Sequence, residues 1–318
     1  EEHNVQAWIT LNEMVLIGAS FLVMLTGVGQ SRLLYNCCAV LAIISAALVI
    51  VSFFDPILAE ESGRGVGLFG NPNIAAHVLS MSMIMGINAI PVRFRIPFVI
   101  TCGMGILATF SRAGWILWSV GVTGLVWYGK FTEGWLRRAT ERALGGGVAL
   151  VILALLFSGS LGKMLSVTPV GQYLTPQTEA RLGVESDFLE HASVDIRYEL
   201  VLFSLKKAAE APLTGHGLGE TRVWNARFRP HNTYLLLLVE GGVLALLIYV
   251  ALLAFLFFFN EAMGRLLTMQ LILLGSVSHN ILEFPVYILF FCMTAAASAF
   301  SWSASRGGGR SSSRFNGY

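Results

Sequence analysis

The chain has 318 residues, 55% of them hydrophobic and only 13% charged, with a formal net charge of +2. Soluble domains carry roughly a quarter charged residues, so an ordinary soluble fold is excluded. The small net charge, with no long basic tract outside the loops, argues against nucleic acid as a partner.

Apolar runs approaching the roughly 20 residues that cross a bilayer fall, in chain order, at 10–29, 33–54, 74–91, 96–110, 113–129, 147–164, 232–259, 266–282 and 285–303. The expected fold is all-α: one polytopic membrane bundle of about nine transmembrane helices. It divides into N-terminal transmembrane helices (1–164), one large loop (165–230), C-terminal transmembrane helices (231–304) and a Gly- and Ser-rich tail (305–318). The four cysteines, Cys37, Cys38, Cys102 and Cys292, lie in apolar segments without metal-type Cys/His spacing. Buried packing is therefore their expected role, and no metal site is expected. The chain starts at Glu1 without Met, and its first apolar run lacks a basic flank and a small-residue cleavage site. An N-terminally shortened fragment is expected.

If the spans alternate, one side collects Arg32, Arg93, Arg95, Lys130, Arg137, Arg138, Arg142, Arg265 and the Arg306, Arg310 and Arg314 of the tail. The short loops opposite hold only Arg64 and Arg112. The positive-inside rule puts the first set in the cytoplasm and the 165–230 loop outside. That loop is too long for a plain connection. Its first part, through Pro169 and Pro176, is irregular; its second opens with Asp187 and Glu190 at capping-box spacing and runs helical to Ala211-Pro212. Val194, Tyr198, Val201, Leu205 and Ala208 share one helix face, widened by Leu200, Leu202 and Phe203. Such an amphipathic helix lies along the bilayer surface or against the bundle.

Arg112 stands where two apolar spans meet with almost no loop. It either snorkels at a helix end or grips an anion, since a planar guanidinium offers phosphate oxygens two hydrogen bonds. Arg197 borders the apolar stripe of the outer helix, at the level a lipid phosphate would occupy; a solvated charge is the plainer reading. Pro230 disfavours helix at Arg229, so a helix starts near His231 and Asn232 and holds His231 beside an anion-attracting N-terminus. A histidine there is either structural or a proton acceptor near neutral pH. Glu240, nine residues on and about 180° around the helix, suits an interhelical hydrogen bond or a protonated packing group. Glu283, at an outer span end, either orients an acceptor hydroxyl or pairs with an arginine. Gly215-His216-Gly217-Leu218-Gly219 reads as a turn, since no strand precedes it, and Gly70-Asn71-Pro72-Asn73 as a helix cap.

Together, Gly70-Asn71-Pro72-Asn73, Ser111-Arg112, Arg197, Pro212 to Gly219 and His231-Asn232 resemble the O-antigen ligase and polymerase superfamily. Gly242 follows the histidine at the family's spacing, but Ala245 stands where Gly, Thr or Tyr is usual. The family generally has more spans than are counted here. The resemblance implies a metal-independent, inverting glycosyltransferase without cofactor, in a bacterial inner membrane with its large loop periplasmic. Its donor would be an undecaprenyl-pyrophosphate-linked glycan and its acceptor lipid A core or another glycan. By that resemblance Arg112 and Arg197 hold the pyrophosphate, His231 activates the acceptor hydroxyl with Glu283 as a second catalytic candidate, and Asn73, Arg229, Asn232 and Tyr234 are candidates for substrate contact. A polymerase or a protein oligosaccharyltransferase shares these motifs. A transporter is the rival from another class, favoured by ionisable groups on broken helices at the bilayer midplane.

Overall fold

The computed structural model describes residues 31–55, 63–130, 145, 187–224, 230–278, 281, 284 and 287–294. Its elements are α1 (Ser31–Phe54), α2 (Pro72–Gly86), two 3-10 turns (Ile87–Ala89 and Val92–Phe94), α3 (Arg95–Ala108), α4 (Arg112–Trp127), α5 (Asp187–Glu210), α6 (Glu220–Val223), α7 (Thr233–Phe259) and α8 (Ala262–Val277). Residues 287–294 are helical as well, and no strand occurs among the described residues. The all-helical expectation is met, and α5 occupies the stretch predicted for the outer helix. Predicted spans 10–29 and 147–164 and the tail 305–318 lie outside the described residues. Among those described, Leu33–Phe54 is long and apolar enough to cross a membrane, and so by length and composition is Thr233–Phe259, although it is broken at Gly242.

The described residues fall into two compact units, one drawn from 31–206 with Ser276–Ser278, the other from 207–275 and 279–318. In the first, the Gly65 N–H donates to the Ala108 carbonyl at 3.0 Å, so the α1–α2 connection meets the α3–α4 turn at one end. At the other end Arg95 donates to the Ile90 carbonyl (2.9 Å) and to the Lys130 carbonyl (2.6 Å), joining the start of α3 to the end of α4. The four helices thus run alternately up and down. Arg93, Arg95 and Lys130 gather at the end opposite Arg64 and Arg112, as expected from loop charge.

Ala46, Val49, Ala75, Ala76, Leu79, Ile106 and Trp115 form the core between these helices. Small side chains let the backbones approach, as in other membrane bundles: a methyl group on Gly114 of α4 would collide with Ala76 of α2. Ile43, Ile44, Val51, Ile100, Met104 and Ile116 face outward, the surface a bundle presents to lipid. Helix α2 stops at Gly86, short of the predicted 91, because Pro91 forces Ile90 into extended backbone (φ −86°, ψ 126°) behind a 3-10 turn.

The second unit is built around α7, which the sequence presents as one straight span. The structure breaks it at Gly242, whose φ of 67° and ψ of −167° are non-helical. Large apolar side chains that face outward begin only after the break, at Val243, Leu244, Leu247 and Ile248.

Candidate functional site

Each unit brings together part of the predicted constellation. In the first, the α3–α4 turn carries Arg112. Phe110 there adopts φ 49°, a left-handed conformation that costs a non-glycine residue free energy and persists only where its surroundings fix it. The Phe110 ring packs on Phe53, 5.6 Å between centroids. The Thr109 hydroxyl donates to the Ile106 carbonyl (2.6 Å) and accepts from the Ser111 N–H (3.2 Å). Ser111 caps α4 by accepting from the Gly114 N–H at 3.2 Å. Arg112 then begins the helix and is exposed.

Arg64 locks this turn from the side. It is only 4% exposed, and its Nε donates to the Thr109 carbonyl at 2.8 Å while Nη2 donates to Asn73 Oδ1 at 3.0 Å. A cation at the carbonyl end of α3 also complements the helix dipole. Asn73 lies in the first turn of α2, behind Pro72 and the cap Asn71, whose side chain accepts from the Asn73 and Ile74 N–H groups. One buried guanidinium therefore ties together the head of α2, with its candidate Asn73, and the turn that presents Arg112. In the sequence Arg64 stands out only as a charge in a short loop.

In the second unit, Asn232 caps α7, its Oδ1 accepting from the N–H groups of Tyr234 (2.9 Å) and Leu235 (3.1 Å). His231 precedes it and is exposed, behind a buried Pro230. The Tyr234 hydroxyl donates to the Ile272 carbonyl of α8 at 2.9 Å, and its ring lies over Gly275. Asn232 and Tyr234 thus hold the frame around His231.

The break at Gly242 frees carbonyls on one side and N–H groups on the other, and the Pro212–Gly217 segment satisfies both. The N–H groups of His216 and Gly217 donate to the carbonyls of Val239 and Glu240, each at 2.9 Å, while the Val243 N–H donates to the Pro212 carbonyl at 2.8 Å. So close a docking needs glycine on both partners: a Cβ on Gly242 would collide with the Leu213 carbonyl, and one on Gly215 with the Glu240 backbone. His216 anchors the same segment to α5, its Nε2 lying 2.8 Å from the Lys207 carbonyl. The glycine-rich run is a turn, as expected, and also the plug of a broken helix.

Glu240 completes the arrangement. Its carboxylate, 8% exposed, accepts from the N–H groups of Gly219 (3.0 Å) and Thr221 (3.1 Å) and from the Thr221 hydroxyl. The expected interhelical bond is made, to α6. Of the other sequence candidates, Arg197 lies in α5, and its side chain is outside the described residues, as are Arg229 and Glu283.

Residues 97–250 match the family described as O-Antigen ligase. No curated protein and no solved structure matches the chain.

Proposed function

The chain is a member of the O-antigen ligase and polymerase superfamily, and on that premise we propose that it transfers a glycan from an undecaprenyl-pyrophosphate carrier to an acceptor hydroxyl at the outer face of a bacterial inner membrane. Lipid A core is the favoured acceptor; another lipid-linked glycan or a protein hydroxyl is the alternative. The observation that carries the reading is the exposed Arg112 at the head of α4, on a turn immobilised by Arg64 and by the left-handed Phe110. A guanidinium at the head of a helix, carried on a turn held by its neighbours, suits the two-pronged grip of a phosphate group.

In this reaction the acceptor oxygen attacks the anomeric carbon of the donor sugar on the face opposite the pyrophosphate. The bond from that carbon to the pyrophosphate oxygen breaks, its electron pair leaves with the carrier, and the configuration inverts. Arg112 and Arg197 stabilise the charge that accumulates on the leaving group, where fixed donors lower the barrier most. His231 takes the proton of the acceptor hydroxyl, a contribution of typically about 10² to 10⁴ in rate. Asn73 and Arg229 contact substrate, and Glu283 is the second candidate for handling the acceptor proton.

A transport reading gains one feature, a broken helix with an acid beside the break. Here, however, the loop occupies the break's backbone groups and the carboxylate of Glu240. The decisive experiment supplies purified full-length protein with undecaprenyl-pyrophosphate-linked glycan and candidate acceptors, and follows acceptor mass and carrier release. His231→Ala and His231→Gln should each lose most turnover, because the amide keeps hydrogen bonding but accepts no proton near neutral pH. Full turnover by His231→Gln would reduce the histidine to positioning and make Glu283 the next base to test.

A further inference from the structure

A carboxylate that accepts three hydrogen bonds from one short segment does more than fill space. The Gly219 and Thr221 donors lie 21 and 19 residues before Glu240 in sequence, so the contact closes a long loop onto α7. It does so beside a break that leaves α7 as two short helices without the continuous hydrogen-bond ladder that would fix their angle. The first half, Thr233–Gly241, carries His231 and Asn232 at its head. Its orientation is set by what grips it: the Tyr234 side chain, hydrogen-bonded to Ile272 and packed on Tyr249, near the start, and the Pro212–Thr221 segment near the end.

We propose that Glu240 is a positioning residue for glycan transfer: by latching Gly219 and Thr221 to the end of the Thr233–Gly241 half-helix, it sets the angle at which that half-helix presents His231 to the acceptor. The inference rests on the reading of His231 as the base. Glu240 itself touches neither substrate nor the transferred proton. Glutamine at 240 keeps the size but replaces one acceptor oxygen by an NH₂ group, which faces the N–H of Gly219 or of Thr221 and repels it. Valine at 221 removes the hydroxyl and leaves the two backbone donors in place; serine keeps the hydroxyl.

Full-length variants are assayed with undecaprenyl-pyrophosphate-linked glycan, separating kcat from the KM for donor. Glu240→Gln should lower kcat about 10- to 100-fold, the scale of a misplacement near 1 Å, with the donor KM within about twofold of wild type. Thr221→Val should follow in the same direction with a smaller loss, and Thr221→Ser should restore wild-type kcat. The separating measurement is the same substitution in a His231→Gln background, where Glu240→Gln should cost little further rate because the base it positions is gone. Losses that multiply instead, or a Glu240→Gln enzyme at full kcat, would overturn the inference. Failure of the base reading shows differently, as full turnover by His231→Gln alone. Should Glu240→Gln not yield folded protein, Thr221→Val and Thr221→Ser carry the test, and equal kcat for these two overturns the inference as well.

Discussion

Tyr234 and Tyr249 stand fifteen positions apart in α7, yet their rings lie 5.8 Å apart between centroids, inclined at 60°. On an unbroken helix the rise alone would separate them by about 22 Å. The contact exists because the chain turns sharply at Gly242 and folds the first half of α7 back toward the second. Tyr249 in turn stacks on Phe291 at 6.5 Å, so the fold of α7 is held from inside by aromatic packing and from outside by the Pro212–Thr221 segment. Val243–Phe259 alone is about 25 Å long by helical rise, close to the roughly 30 Å hydrocarbon thickness.

Gly242→Ala should therefore destabilise the protein sharply. Its backbone region is nearly closed to other residues, which costs about 1–3 kcal/mol by itself, and the added methyl group meets the Leu213 carbonyl. Thermal unfolding of purified protein in detergent checks this. An unchanged melting temperature would mean that the break is not built as described.

Arg64 offers a second test. Its removal leaves the carbonyl of the buried Thr109 short of a donor, at about 1–3 kcal/mol for a buried group left unsatisfied, whereas the exposed Asn73 can turn its Oδ1 to water. Arg64→Lys keeps the charge but replaces the planar fork by a single point donor. Arg64→Ala should be the less stable variant and Arg64→Lys intermediate, both with reduced transfer because the Arg112 turn loosens. Full stability and activity in Arg64→Ala would remove the buried guanidinium from the account.

Much of the helical frame was readable because it depends on local composition. The runs at 33–54 and 232–259 reappear as Ser31–Phe54 and Thr233–Phe259, and Asn71 and the His231-Asn232 pair mark helix starts as their side chains suggested. Gly241-Gly242 beside Glu240 is a signal for the break, but the run on either side stays long and apolar enough to pass for one straight span. What makes it a break is a segment docked from some thirty residues upstream. Arg64 escaped for the same reason: its Thr109 partner lies 45 residues away, and a loop charge looks solvated until that partner is known.

The sidedness inferred from loop charge predicts a labelling pattern. Leu68, 73% exposed, lies at the Arg64–Arg112 end of the first unit, and Trp127, 81% exposed, at the Arg95–Lys130 end. In a variant lacking the native cysteines, a membrane-impermeant maleimide should reach Leu68→Cys in spheroplasts with an intact inner membrane. It should reach Trp127→Cys only after that membrane is opened. The reverse pattern would put the Arg112 turn in the cytoplasm and remove a periplasmic reaction from consideration.

Arg112 supplies the last prediction, because two physical roles for an arginine at a helix head differ in what they demand of the side chain. A snorkelling arginine needs only a charge that reaches water, which lysine provides equally well. A pyrophosphate ligand needs two parallel donors in one plane, which lysine lacks. Arg112→Ala should lower kcat/KM for the lipid-linked donor by about 10² to 10³, the usual cost of removing one donor from a developing anion. Arg112→Lys should recover only part of that loss. Arg93, whose guanidinium lies 4.7 Å from the centre of the Phe94 ring at the opposite end of the unit, serves as the control, and Arg93→Ala should leave donor kinetics unchanged. The measurement is initial transfer rate against donor concentration, at matched protein content and ionic strength, since salt screens the non-specific attraction of an anionic carrier. Arg112→Lys at wild-type kcat/KM would assign the residue to snorkelling and move the search for the pyrophosphate ligand to Arg197.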